Sequence, residues 1–155
     1  MKNLTASLLL LVGLAAVSSC KKDNETPAAP SDTMTISGDM NAANTPSTPT
    51  QPGPVVSSGT GKVTGTYNKT TKELEYTVTY SGLTGPATNG HFHIGAPGTL
   101  GKVAVGFTNY QTSPITGKVT LRPEQADELL KGNFYANLHT AQYKEGEIRA
   151  NVVVK

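Results

Sequence analysis

The chain has one cysteine, no tryptophan and three histidines, so it is poor in the side chains that most chemistry needs. A single thiol cannot form a disulfide within the chain. Charge is scarce as well: 15% of the residues are ionic and the net charge of +2 is scattered. No basic stripe interleaved with aromatics is present, which sets nucleic acid aside as a partner. The apolar run near the start falls short of the ~20 residues that a membrane-spanning helix requires. No glycine-rich phosphate loop leads from a strand into a helix, and no serine, cysteine or lysine nucleophile stands beside a histidine in a recognisable motif. The expectation is a protein without catalytic residues.

Turn formers are abundant, with 16 glycines and 10 prolines in 155 residues. Together with the low charge and a hydrophobic content of 36%, they suit one β-rich domain of short strands plus an unstructured segment. Lys2 and the apolar run of residues 8–14 have the parts of a secretory signal. The run ends at Val17-Ser18-Ser19-Cys20, and small residues before a cysteine at this place resemble the lipobox of bacterial lipoproteins. That resemblance implies a signal peptide over residues 1–19 and lipidation of Cys20, which makes the membrane a partner and leaves no free thiol. The plainer alternative is an ordinary signal peptide with a chance cysteine. Residues 20–33 are polar, contain proline and read as a flexible tether. Lys21, rather than an aspartate, follows the cysteine. In this the chain is similar to lipoproteins sorted to the outer membrane, so the expected location is the cell envelope, periplasmic or surface-exposed.

Residues 34–155 are then the folded domain. Short alternating runs predict strands at 34–40, 61–67, 73–80, 90–95, 102–107, 117–121, 133–140 and 146–154. Residues 41–58 read as a long loop with only Val55 and Val56 to bury, and residues 95–101 as a glycine-rich turn. Val103, Val105 and Phe107 are expected to point inward. One helix is predicted over 123–131, opened by Pro123, lined by Ala126, Leu129 and Leu130, and stopped by Gly132. The expected fold is mainly β: an antiparallel, Greek-key-like β-sandwich or barrel, wet on one face, with one short helix.

The chemistry concentrates in Gly90-His91-Phe92-His93-Ile94-Gly95. Side chains alternate along a strand, so Phe92 and Ile94 on the core face turn His91 and His93 to the other. In Phe134-Tyr135-Ala136-Asn137-Leu138-His139 the same rule groups Tyr135, Asn137 and His139 away from the core. Histidines at i and i+2 stand ~6.5–7 Å apart and can chelate one ion, with zinc or copper the fitting choices. His91, His93 and His139 are the candidate ligands, provided their two strands are neighbours. A short connection suggests that the last strand pairs with residues 135–140. Tyr135, Asn137, Glu147 and Arg149 are then the candidate supports, with Glu147 placed to hold the far nitrogen of His139. The plainer readings are a hydrogen-bonded polar face and a cross-strand ion pair for Arg149. Copper-zinc superoxide dismutase begins its copper site with a similar pair, but its further histidines and aspartate-bearing loop are missing here.

In order, Tyr80-Ser81-Gly82-Leu83, His91-Phe92-His93-Ile94-Gly95 with Gly98 and Gly101, Leu121 with Pro123-Glu124-Gln125, Tyr135-Ala136-Asn137-Leu138-His139-Thr140 and Gly146-Glu147-Ile148-Arg149 resemble the CHRD (chordin-type) domain. Arg122 stands where that family usually has a capping threonine, and Ala150 where it usually has glycine. The resemblance implies an extracytoplasmic β-sandwich domain that binds a protein or envelope ligand, with no defined activity. The alternatives are a zinc- or copper-binding protein and a structural envelope component.

Overall fold

The computed structural model describes residues 32–155. The expected signal segment, the lipidation site Cys20 and the tether up to residue 31 lie outside the described residues. Strand β1 (Thr33–Asn41) opens the domain and runs into a short 3-10 turn at Ala42–Asn44. β2 (Thr60–Asn68) and β3 (Glu73–Ser81) form the predicted hairpin. β4 (Ala87–Ile94), β5 (Lys102–Gly106) and β6 (Ile115–Thr120) follow, then helix α1 (Pro123–Leu130). β7 (Phe134–Thr140), β8 (Ile148–Asn151) and β9 (Val153–Val154) complete the chain. The one run predicted at 146–154 is therefore two strands.

The fold is mainly β and antiparallel with a single helix, the expected class, and its strands form one nine-stranded sheet curled into a half-barrel. Strand order is β5-β4-β7-β8-β1-β2-β3-β6, with β9 beside β1. Two halves meet at a narrow seam. β8 is paired in the ladder with β1 at Asn41↔Arg149 alone, and β9 adds Ile36↔Val154 and Ser37↔Val153.

Alternation explains the core. Ile36, Val63, Tyr67, Leu74, Tyr76, Val78, Phe92, Phe134, Ala136, Leu138, Ile148 and Ala150 face the concave side and are buried. Each large apolar side chain so buried contributes ~1.5–3 kcal/mol before entropy is counted. The curl brings β3 against β4, where Tyr76 meets Phe92 edge-on with ring centroids 5.0 Å apart. Phe92 in turn meets Phe107 at 4.9 Å.

Three local expectations need correction; one is Leu130, which is 44% exposed and lies outside the helix's buried stripe of Gln125, Ala126 and Leu129. Val103 is 54% exposed rather than inward, because a register shift between Phe92 and His93 pairs Val105 with Phe92 and Val103 with His93, swapping its face. Val56 is 78% exposed and leaves Val55 as the buried member of its pair. Helix α1 starts with Pro123, and its N-cap Arg122 has no oxygen to cap with. Gln125 compensates: its Oε1 accepts from the Arg122 N–H at 2.9 Å while its Nε2 donates to the Ala104 carbonyl at 2.9 Å. The helix is thereby tied to edge strand β5.

Candidate metal centre

β7 lies between β4 and β8, and the register sets the outward side chains in rows: His91↔Asn137↔Arg149, then His93↔Tyr135↔Asn151, with Asn89↔His139 beyond. The two histidine-bearing strands are neighbours, so all three imidazoles come together. Ring centroids of His91 and His93 are 5.3 Å apart, and those of His91 and His139 are 5.1 Å apart. Each ring offers one nitrogen within 4.8 Å of the others. A zinc ion with nitrogens at ~2.0–2.1 Å needs them ~3.3 Å apart, so the rings would have to draw in from the 4.8 Å that bounds them here.

Backbone carbonyls set the tautomers. His93 Nδ1 donates to the Gly101 carbonyl at 3.0 Å, and His139 Nδ1 to the Lys144 carbonyl at 2.8 Å, since a carbonyl only accepts. Their Nε2 atoms therefore carry the lone pairs. His93 Nε2, His139 Nε2 and His91 Nδ1 are buried with no protein partner. Holding one ring nitrogen by a carbonyl and aiming the other inward is the support that metal-ligating histidines ordinarily have. The rings stay neutral as well. Burial, then repulsion from His139 and His93, pushes His91 down to about 4. Burial also lowers His93 and His139, against the hydrogen bonds to Gly101 and Lys144.

The face expected to be wet is roofed here. Tyr135, Asn137 and Arg149 are 2%, 5% and 1% exposed. Residues 95–101 do more than join two strands. Besides its bond to His93, Gly101 gives its N–H to the Tyr135 hydroxyl at 3.0 Å, while Ala96 and Thr99 carbonyls accept from Arg149. Gly101 must be glycine, because a Cβ there would lie 1.6 Å from the Ile94 carbonyl oxygen. A second cover comes from residues 41–58, where Gln51 donates to the Gly146 carbonyl and accepts from the Glu145 N–H.

Tyr135 is the central support. His93 stacks on its ring at 4.8 Å and 7° from parallel, and the Arg149 guanidinium carbon lies 3.4 Å from its centroid. Since β4 and β8 flank β7, the two reach Tyr135 from opposite sides. Arg149 forms no ion pair among the described residues, so the cross-strand pair expected for it is replaced by carbonyls and the ring. Asn137 donates to the Glu145 carbonyl at 3.3 Å.

Glu147 does not hold His139. The β7–β8 ladder ends at Leu138↔Ile148, one pair short of the position where Glu147 would face it. Its buried carboxylate instead accepts from the Ser57 hydroxyl, from the Thr84 N–H at 2.8 Å, and from the Thr84 and Thr140 hydroxyls at 2.7 Å each. The Lys144 carbonyl does at His139 what Glu147 was expected to do. No side-chain pattern marks a backbone carbonyl in advance, and residues 95–101 read from the sequence only as a turn.

A family model for the CHRD domain matches residues 22–152, most of the chain. The chain belongs to the CHRD domain family. CHRD domains are of an extracellular, binding or interaction type and form a non-enzymatic family. No curated protein and no solved structure matches the chain. The His91-Phe92-His93 and Tyr135–His139 segments of this CHRD domain are the two adjacent strands that carry the histidine cluster.

Proposed function

We propose that this CHRD domain binds one transition-metal ion, zinc or copper, between His91, His93 and His139, and that a lipid on Cys20 holds it at the outer membrane. The metal reading is carried by one observation: three neighbouring imidazoles each keep a buried nitrogen without a protein partner, two of them in tautomers set by carbonyls, and each ring offers one nitrogen within 4.8 Å of the others. Buried polar atoms without partners are costly, and a cation accepting three lone pairs removes that cost. Neutral imidazole suits both ions. Tyr135 and Arg149 serve the site by packing and by holding the loop of residues 95–101, and Asn137 borders it. The anchoring rests on the lipobox-like Val17-Ser18-Ser19-Cys20 and on the tether that follows it.

Titration of the metal-free protein with zinc or copper tests the reading. One ion should bind per chain and raise the melting temperature, with ~2.7 kcal/mol of stabilisation at a hundredfold excess over Kd. His93→Ala should abolish the shift. If neither ion binds nor raises the melting temperature, the metal reading fails, and a domain that binds a protein or envelope ligand, or builds the envelope, stands in its place. For the anchor, Cys20→Ser should stop incorporation of labelled palmitate and release the protein from membranes. Unchanged membrane partition of that variant would refute lipidation.

A further inference from the structure

Among the described residues, five buried side-chain polar atoms lack a protein partner: His91 Nδ1, His93 Nε2, His139 Nε2, Asn137 Oδ1 and Arg149 Nε. Random imperfections would scatter over the sheet. These five fall on three adjacent strands, and His91, Asn137 and Arg149 form a single cross-strand row. Neighbours in such a row have Cβ atoms ~4.5–5.5 Å apart.

Each of the two extra atoms has a defined sense. Asn137 donates its amide to the Glu145 carbonyl, so its Oδ1 is left as an acceptor. Arg149 spends its terminal nitrogens on the Thr99 and Ala96 carbonyls, so its Nε–H is left as a donor. A cation held by the three imidazoles alone leaves both unmet, and no cation can meet the Arg149 Nε–H, which needs an acceptor. Charge adds to the argument. Three neutral ligands bring no negative charge, and Arg149 is a buried cation without a carboxylate partner among the described residues. A dication placed beside it in a poorly solvated layer calls for an anion. Glu145 is the acidic side chain that acts on the cluster, through its field at His139, and it is exposed.

Building on the metal reading above, we propose that the ion keeps a fourth position for a small exogenous oxygen ligand, water or hydroxide. This ligand donates to Asn137 Oδ1, accepts from Arg149 Nε–H, and exchanges for small anions. Three histidines plus one exchangeable ligand is the arrangement of an open zinc site. The near-complete burial of Asn137 and Arg149 restricts the position to ligands of a few atoms.

The test uses the full chain loaded with Co(II), whose visible spectrum reports on its ligands, titrated with azide. In the parent, azide should change the spectrum saturably. In Asn137→Ala, azide should bind roughly three- to tenfold more tightly. Bound water loses its acceptor there, whereas azide has no proton to give. Asn137→Leu keeps the volume and removes the acceptor, and should show the same tightening; a gain confined to Asn137→Ala would come from added space and would overturn the proposal. A Co(II) spectrum in the parent that ignores azide overturns the proposal whatever the variant does. So does an Asn137→Ala titration that coincides with the parent's. If the parent takes up no Co(II), the three-histidine site itself fails, and the proposal with it.

Discussion

On β1, β2, β3 and β6 the convex face of the sheet meets water. Thr35, Thr64, Thr66 and Thr116 are exposed there, and Lys118 and Glu73 form a surface ion pair at 2.8 Å. On β4, β7 and β8 the same convex face lies under residues 41–58, 95–101 and 141–146, and His93, Tyr135, Asn137 and Arg149 are buried. Both halves show the same apolar-polar alternation, yet one polar face is solvated and the other is sealed. The difference matters because water satisfies every hydroxyl on the open half without help. Beneath the loops each donor and acceptor needs a named partner, and one that lacks it points to a ligand.

Three substitutions or conditions can break or sharpen that contrast. The largest effect is expected at the edge of the sealed half. Glu147→Leu removes the acceptor for four donors from Ser57, Thr84 and Thr140, three separate segments. Stranding buried donors should lower the unfolding free energy by roughly 3 kcal/mol or more, read from urea denaturation. Glu147→Gln, which keeps an acceptor, should lose less. A Glu147→Leu midpoint close to the parent's would mean that this carboxylate does not hold the loops.

An intermediate effect should come from acid. In the unfolded chain the three histidines titrate near ~6.5, whereas folding pushes His91 down to about 4 through burial and its neighbours His139 and His93. As pH falls through that window the unfolded chain takes up protons that the folded, metal-free domain refuses. Stability is thus undiminished above ~6.5 and declines below it. Glu147 acts in the same direction at lower pH. Burial raises its carboxyl, but hydrogen bonds from Ser57, Thr140 and Thr84 outweigh that and hold it below the ordinary range. Its contribution is present above ~4.3, the unfolded value, and is lost as pH falls through the folded one. Denaturation of metal-free protein at pH 7 and pH 5 should show the lower midpoint at pH 5, and equal midpoints would contradict neutral buried imidazoles. Saturating zinc should raise stability at both pH values without moving the onset near ~6.5, because the ion binds the folded domain and the unfolded histidines set that onset.

The smallest effect belongs to the open half. Thr64 is exposed in the row Ser37↔Thr64↔Thr77↔Thr116, and Thr64→Ala should change stability by no more than ~0.5 kcal/mol. A loss above ~1 kcal/mol would show that this face is not simply solvated.

Alternation in residues 90–95 and 134–139 was enough to place His91, His93 and His139 on the non-core face, because a strand has two faces and Phe92, Phe134, Ala136 and Leu138 claim one of them. The turn formers, the hairpin at residues 61–80 and the Pro123 helix start likewise announce an antiparallel β domain from local chemistry alone. Strand adjacency is another matter. β4 and β7 are separated by two strands and a helix, and only the crossover in the sheet's strand order seats them side by side. The sealing of one polar face also depends on loops whose anchors are backbone carbonyls, which every residue possesses and no sequence pattern marks. Glu147 shows the limit most clearly. It lies just outside β8, where the ladder has already ended, and hydrogen bonds from Ser57, Thr84 and Thr140 decided where its charge would lie.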